Sequence, residues 1–300
     1  MILCCGEALI DMLPRETSAG EPAFAPLSGG AVFNTAIALG RLGAPSGYFG
    51  GLSSDLFGAQ LCAALDASKV DYSLSPRSDR PTTLAFVTLT NGHAKYAFYD
   101  EMTAGRMLAP TDLPDLPATV TALFFGGISL VSEPAADTYA AFCQREAGRR
   151  VIMMDPNIRP NFITDEPGYR KRLDAMLPCA DIIKVSDEDM EWLGTTPEEL
   201  ISRGTALVLV TRGAEGVDAT SAAGTLRVPA NKATVVDTVG AGDTFNAGLL
   251  AGLSRDGLLT RDSLRSASLD SLRPAVALGA QAAAITVSRA GANPPWLHEL

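Results

Sequence analysis

Short apolar runs alternate along the chain with stretches whose apolar residues recur at helical spacing. Residues 1–9 form an apolar run too short for a capped helix, which predicts a central strand ending at Asp11. Residues 31–42 (AVFNTAIALGRL) have helical spacing, and Gly43 is a good stop. A strand is expected over 46–52 and a helix over 56–65. Residues 82–90 and 94–100 alternate around Asn91-Gly92, a hairpin signal. From there the rhythm becomes strand, helix, strand. Residues 120–127, 151–155, 181–185 and 206–211 read as strands, with helices over 135–146, 187–193 and 197–203. A second hairpin joins 216–221 to 224–229 through Ala222-Ala223, and 241–253 and 274–287 read as long, alanine-rich helices.

Short apolar strands alternating with helices imply an α/β fold with a mostly parallel sheet covered on both faces. Ligands in such folds bind beyond the carboxyl ends of the strands. Asp11, Gly126, Asp155 and Thr211 are all expected there, which gathers the polar residues on one edge. The hairpin at 82–100 lacks a crossover helix, so it and residues 12–27 are expected to form a separate small sheet.

At 300 residues the chain suits one main domain with a small appendage. Its 47% hydrophobic and 19% charged residues exclude disordered and collagen-like classes. A net charge of -10 argues against non-specific binding to nucleic acid or an anionic membrane. The five cysteines match no zinc spacing and suit reduced, buried thiols in the cytoplasm. No apolar segment reaches the roughly 18 residues of a membrane span.

The candidate chemistry lies in residues 235–243, VVDTVGAGD, which run straight into a helix. Glycines on both sides of Ala241 let consecutive N–H groups point one way at a helix start, where unpaired donors and the dipole favour an anion. Asp243 at that place can act as a base beside a phosphate. Taken alone, an aspartate there is also a common helix cap. Phosphoryl transfer asks for little else than an aligned hydroxyl, charge neutralisation and a proton acceptor.

Residues 237–243 resemble the carboxy-terminal DTxGAGD signature of the PfkB, or ribokinase-like, carbohydrate kinases. Gly29-Gly30-Ala-Val-Phe-Asn34-Thr-Ala36 is similar to their amino-terminal GGxxxNxA signature. The resemblance, which runs from Gly6 to about Pro295, implies a three-layer αβα sandwich with a small β-sheet lid formed by 12–27 and 82–106. It also implies an ATP-dependent sugar kinase. Asp243 would take the proton from a sugar hydroxyl, and Gly240, Ala241 and Gly242 would offer N–H groups to the moving phosphate. Asp11, Gly29, Gly30 and Asn34 would hold the sugar. Thr211, Gly213 and Gly216 resemble a nucleotide-binding turn, and Thr238 would join them.

Asp155-Pro-Asn157-Ile-Arg159-Pro resembles the DPNxRP segment of bacterial fructokinases, with Arg159 suited to charge on the transferring group and Asn157 to the sugar. Residues 98–106 (FYDEMTAGR) resemble a lid segment that reads FYREGTADR in that branch, so Asp100 stands where a cation is usual. An aspartate there would repel the carboxylate of 2-keto-3-deoxygluconate, the runner-up substrate, and fructose comes first. Arg106 matches the pattern and either faces the sugar or stands in solvent. The family's Asn-x-x-Glu element, which places Mg²⁺ through water, corresponds to Ser186-Asp187-Glu188-Asp189, so Asp189 or Glu188 would serve. A monovalent cation near Asp237 and Ala290, and a homodimer joined through the lids, are left open. A dehydrogenase would need GxGxxG after the first strand, and the chain has Cys5-Gly6-Glu7-Ala8 instead. A non-catalytic sugar-binding relative is the remaining alternative.

Overall fold

The computed structural model describes residues 1–90 and 93–300, with side chains for all of these except 88–90 and 93–96. From the amino terminus the chain lays down β1 (Ile2–Cys5), β2 (Leu9–Glu16), β3 (Pro22–Gly29), α1 (Ala31–Arg41), β4 (Ser46–Phe49), β5 (Leu52–Ser53), α2 (Leu56–Ala67), β6 (Arg77–Ser78), β7 (Leu84–Thr90) and β8 (His93–Tyr99). Then come β9 (Ala122–Gly126), α3 (Ala135–Glu146), β10 (Val151–Asp155), α4 (Glu166–Met176), β11 (Ile182–Ser186), α5 (Asp187–Leu193) and α6 (Pro197–Ser202). The chain ends with β12 (Leu207–Thr211), β13 (Val217–Ser221), β14 (Gly224–Val228), α7 (Ala241–Arg255), α8 (Arg261–Ser266) and α9 (Leu269–Val287).

Strands buried on both faces send alternate side chains into two cores. Ile2 and Cys4 of β1 enter one core, with residues of α1, α2, α7 and α9. Leu3 and Cys5 enter the other, with residues of α3 and α4. Between these helical layers lies an eight-stranded sheet in the order β14-β13-β12-β11-β10-β9-β1-β4. Its pairs are parallel except β12–β13 and β13–β14, the expected second hairpin. Register aligns the strand ends: Asp155 lies opposite Gly126, and Ser186 opposite Thr211.

A second sheet, in the order β3-β2-β7-β8, stands over that edge. Leu27, Asp11, Ala85 and Phe98 are direct cross-strand partners in turn, so their side chains share one face. That face meets the strand-end loops, because the Phe98 ring lies 4.8 Å from Phe162. The opposite face carries an aromatic row, with Phe86 5.0 Å from Phe24 and 5.3 Å from Tyr99.

Several boundaries differ from those the sequence suggests. Residues 1–11 are two strands in two sheets, and Asp11 sits inside β2 rather than past the end of β1. The break falls at Gly6 and Glu7, whose carboxylate is drawn to the start of α1. The Asn91-Gly92 turn lies outside the described residues. Residues 100–106 follow β8 as a loop, tied by Ala104 N–H to the Pro81 carbonyl at 2.9 Å. Pro274 does not open α9, which starts one turn earlier where the Ser268 hydroxyl accepts the Ser271 N–H. Helix α4 was not anticipated, although Tyr169, Leu173 and Met176 recur at helical spacing in it.

Helices α7 and α9 pack through small residues. A Cβ on Gly248 would lie 2.7 Å from the Gly279 Cα, and one on Gly252 would lie 2.6 Å from the Ala275 Cα. Gly248→Val is therefore expected to destabilise the chain by about 1–3 kcal/mol through overpacking. Urea denaturation should show a lower midpoint with an unchanged slope.

Candidate active site

Two helix amino termini meet at the strand-end edge, and they differ in what satisfies their N–H groups. The first turn of α1 is filled. Glu7 Oε1 accepts from Ala31 N–H at 2.8 Å and Val32 N–H at 3.4 Å, and the Glu7 carbonyl accepts from Phe33 N–H. The first turn of α7 is open, since no side chain caps Gly240. Gly240 has φ +77, in the left-handed region, and a Cβ there would strike Ala292 at 2.7 Å. Together with Gly242 this leaves a half-buried arc of backbone at the start of a 15-residue helix, where among the described residues only the Thr238 carbonyl reaches the Ala241 N–H.

Asp243 stands at the edge of that arc, 8% exposed. Its Oδ2 accepts the Asn34 amide of α1 at 2.9 Å. Burial pushes its carboxyl up to about 7; Asn34 opposes that, the Asp155 charge adds to it and the Lys184 charge opposes it. A carboxylate with such a value shuttles protons near neutral pH. Beneath the arc, Asp155 Oδ2 accepts from Lys184 Nζ at 2.9 Å and from the Asn246 amide at 2.7 Å.

On the lid side, Asp11 lies against Gly29, where any Cβ would collide with its Oδ2. Burial raises the Asp11 carboxyl to about 6. Gly30, with φ +107, passes close to the Glu7 carbonyl. A nearby cleft is lined by Glu7, Thr83, Asp100, Arg106, Ser129 and Ser132 among others. Asp100 Oδ1 accepts from the Thr83 and Thr103 hydroxyls at 2.8 and 3.0 Å, and Oδ2 lies 3.7 Å from Arg106. Arg106 also donates to the Glu133 carbonyl. It therefore faces the cleft rather than open solvent, with Asp100 as partner.

The pfkB carbohydrate kinase family model matches residues 1–299. The chain belongs to this family of carbohydrate kinases. It is 52% identical to a fructokinase of Rhizobium leguminosarum bv. trifolii over 91% of this chain and 86% of that protein. It is 33% identical to a fructokinase of Klebsiella pneumoniae over 96% of this chain and 93% of that one. Among solved structures it resembles a fructokinase of Xylella fastidiosa with bound ATP, at TM-score 0.86 and 28% identity, covering 97% of this chain and 93% of that one. The ribokinase-like fold and the phosphotransferase class follow.

The kinase's remaining expected site residues lie along the same edge. Thr211 ends β12, and Gly213 and Gly216 take left-handed φ values of 51 and 102 in the turn that follows. Thr238 is exposed before α7, and its carbonyl accepts the Ala241 N–H. Asn157 has φ 45, held by its N–H on Asp155 Oδ1. Arg159 is exposed, its Nη1 on the Ile158 carbonyl at 3.0 Å.

The metal expectation meets a different arrangement. Asp189 is buried, with Oδ1 accepting Ile158 N–H and Oδ2 accepting Ser186 N–H, each at 2.9 Å. It closes a capping box and pins the 155–159 loop, while Glu188 is exposed. The expected contact runs through water, and among the described residues no group of three histidine, cysteine or acidic side chains is placed to hold an ion directly. Asp237 likewise spends its oxygens on the Val239 and Gly291 N–H groups. Three residues of this site had not been singled out, Glu7, Lys184 and Asn246; Asp155 had been expected at this edge without a role of its own. Glu7 and Lys184 left a signal, a lone charge inside an apolar run; Asn246 left none.

Replacing Asn34 by leucine removes the bond that favours the charged form of Asp243. Its carboxyl should then titrate above about 7, read from the carboxyl-carbon shift of the free chain by NMR.

Proposed function

We propose that this kinase transfers the γ-phosphoryl group of ATP to a hydroxyl of fructose, with Asp243 as the general base. The observation that carries this reading is the pairing of a buried carboxylate, near neutral in its titration, with the uncapped start of α7. Asp243 takes the hydroxyl proton as the sugar oxygen attacks the γ-phosphorus. The bond from that phosphorus to the β–γ bridging oxygen breaks, and ADP leaves. The N–H groups at Gly240–Gly242 meet the charge that spreads over the moving phosphoryl oxygens. Arg159, exposed at the rim, swings in to the same oxygens. Magnesium bound to the nucleotide would supply further positive charge to its phosphates, with Asp189 or Glu188 as the side chains that would reach it through water.

The nucleotide lies across the 211–216 turn and Thr238, where glycine backbone allows close approach. The sugar lies between Asp11, Gly29, Gly30 and Asn34, under the lid face that also carries Leu27 and Phe98. Closure of the lid sheet, 9–29 and 84–99, keeps water from the γ-phosphate. Asp11, Glu7 and Asp100 are acceptors suited to sugar hydroxyls, and Asp100 already neutralises Arg106. A neutral polyol fits this lining better than a sugar acid, which favours fructose over 2-keto-3-deoxygluconate.

The outer lid face exposes Phe24 and Tyr99, at 43% and 64%. A second copy of the chain covers it, joining two lids in a dimer. Its unpaired thiols suit a reducing cytoplasm.

Asp243→Asn should lower kcat by about 10²–10⁴-fold with fructose binding nearly unchanged; near-normal turnover would refute the base assignment. In the native kinase, kcat/KM should fall as pH drops through about 7, because the base is then protonated. Asp100→Arg should lose about tenfold in kcat/KM for fructose and gain activity on a sugar acid. Phe24→Asp with Tyr99→Asp should give a monomer by sedimentation velocity; an unchanged sedimentation coefficient would show that the lids do not form the interface.

A further inference from the structure

The buried triad beneath α7 has no part in the transfer described so far. Lys184 and Asp155 are both buried, with side chains 6% and 3% exposed. Such a pair is costly to bury, and apolar residues of similar volume often replace one without loss of stability. This pair is also heavily engaged. One Asp155 carboxylate holds the Lys184 ammonium, the Asn246 amide and the Asn157 N–H. It therefore ties three elements together: β11, α7 and the left-handed loop residue that follows β10. The amide oxygen of Asn246 is buried with no partner among the described residues, so the triad is not an internally satisfied structural network.

The position of the ammonium gives the triad a direction. Gly242 lies inside α7 with no left-handed φ, where alanine would ordinarily be the better helix residue. A Cβ on Gly242 would stand 3.2 Å from Lys184 Nζ, the one heavy atom it would meet within 4 Å among the described residues beyond its own helix turn. The glycine thus leaves room for a cation against the open end of the helix.

We propose that Asp155, Lys184 and Asn246 form a positioning clamp that holds a buried cation behind the phosphate-accepting turn of α7, balancing charge on Asp243 as the phosphoryl group arrives. The proposal rests on the kinase reading above and deepens it. Asp155 is the hub, Asn246 fixes it to α7, and Lys184 supplies the charge. In a chain of net charge -10, this places one positive group where two negative ones, the base and the phosphate, must come together. The charged or polar groups acting on the Asp243 carboxylate are Asn34 from α1, Asp155 from β10, Lys184 from β11 and Glu7 from the β1–β2 link.

The two charges act on Asp243 with opposite sign, which gives a signature that mere loss of packing would not. The test is the pH dependence of kcat/KM for ATP-driven fructose phosphorylation. Lys184→Met removes a cation, so the acid limb should move to higher pH; Asp155→Asn removes an anion, so it should move to lower pH. The double variant removes both charges, leaves no uncompensated ion, and should bring the limb back towards the wild-type position with kcat reduced about tenfold or more. Limbs that stay in place, or shift the same way in both single variants, would overturn the proposal. If the single variants do not fold, the double variant decides, because wild-type turnover in it would also overturn the clamp. A wild-type chain that does not phosphorylate fructose would instead count against the substrate reading. An acid limb measured on whichever sugar it does phosphorylate then tests the clamp independently.

Discussion

The site depends on one half-buried helix start that no side chain caps. A helix amino terminus carries unpaired donors and about half a positive charge. The fold supplies two such ends side by side and treats them in opposite ways. Glu7 fills the first turn of α1, which fixes that helix and the glycines before it. The first turn of α7 has no side-chain cap, and Gly240 turns the chain into it through a left-handed residue. The consequence for Asp243 is a balance of opposing effects. A helix start and a donated hydrogen bond both favour the ionised carboxylate, whereas burial beside Asp155 disfavours it. Burial wins, and the carboxyl titrates near 7.

The lid follows from the same arrangement. Strand β3 runs directly into the Gly29-Gly30 turn and so into α1, which ties the lid sheet to the helix that holds Asn34. Movement of the lid therefore carries Asp11 and Gly29 relative to the strand ends while leaving Asn34 and Asp243 paired across α1 and α7. Asp11 and Gly29 thus belong to the lid sheet, whereas Asn34 and Asp243 are set in the core.

Much of this was legible in the chain. The apolar runs that became β9, β10, β11 and β12 were short and clean, because strands buried on both faces tolerate little else. Asp243 and its glycines stood out because local sequence makes the whole motif. What escaped reading was tertiary. Residues 1–11 read as one strand because the turn at Gly6 is imposed by contacts with α1 and Ser129, distant in sequence. Asp189 was expected to place an ion through water, and sequence cannot show that the Ser186 and Ile158 N–H groups also bond its two oxygens. Asp155 and Asn246 are ordinary polar residues until β10 and α7 are placed against each other.

Lys184 resolves an apparent conflict between the chain's charge and its chemistry. A protein of net charge -10 repels a nucleotide triphosphate at long range. Salt screens exposed charges beyond about 8 Å at physiological ionic strength, so distant acidic residues contribute little once the ligand is seated. At short range the balance belongs to groups that water does not reach. On the proposed reading the phosphate would meet backbone donors with a buried ammonium behind them, beside a carboxyl that burial raises to about 7. The local field at the start of α7 is thus set by three or four buried groups, and the acidic surface is free to serve solubility.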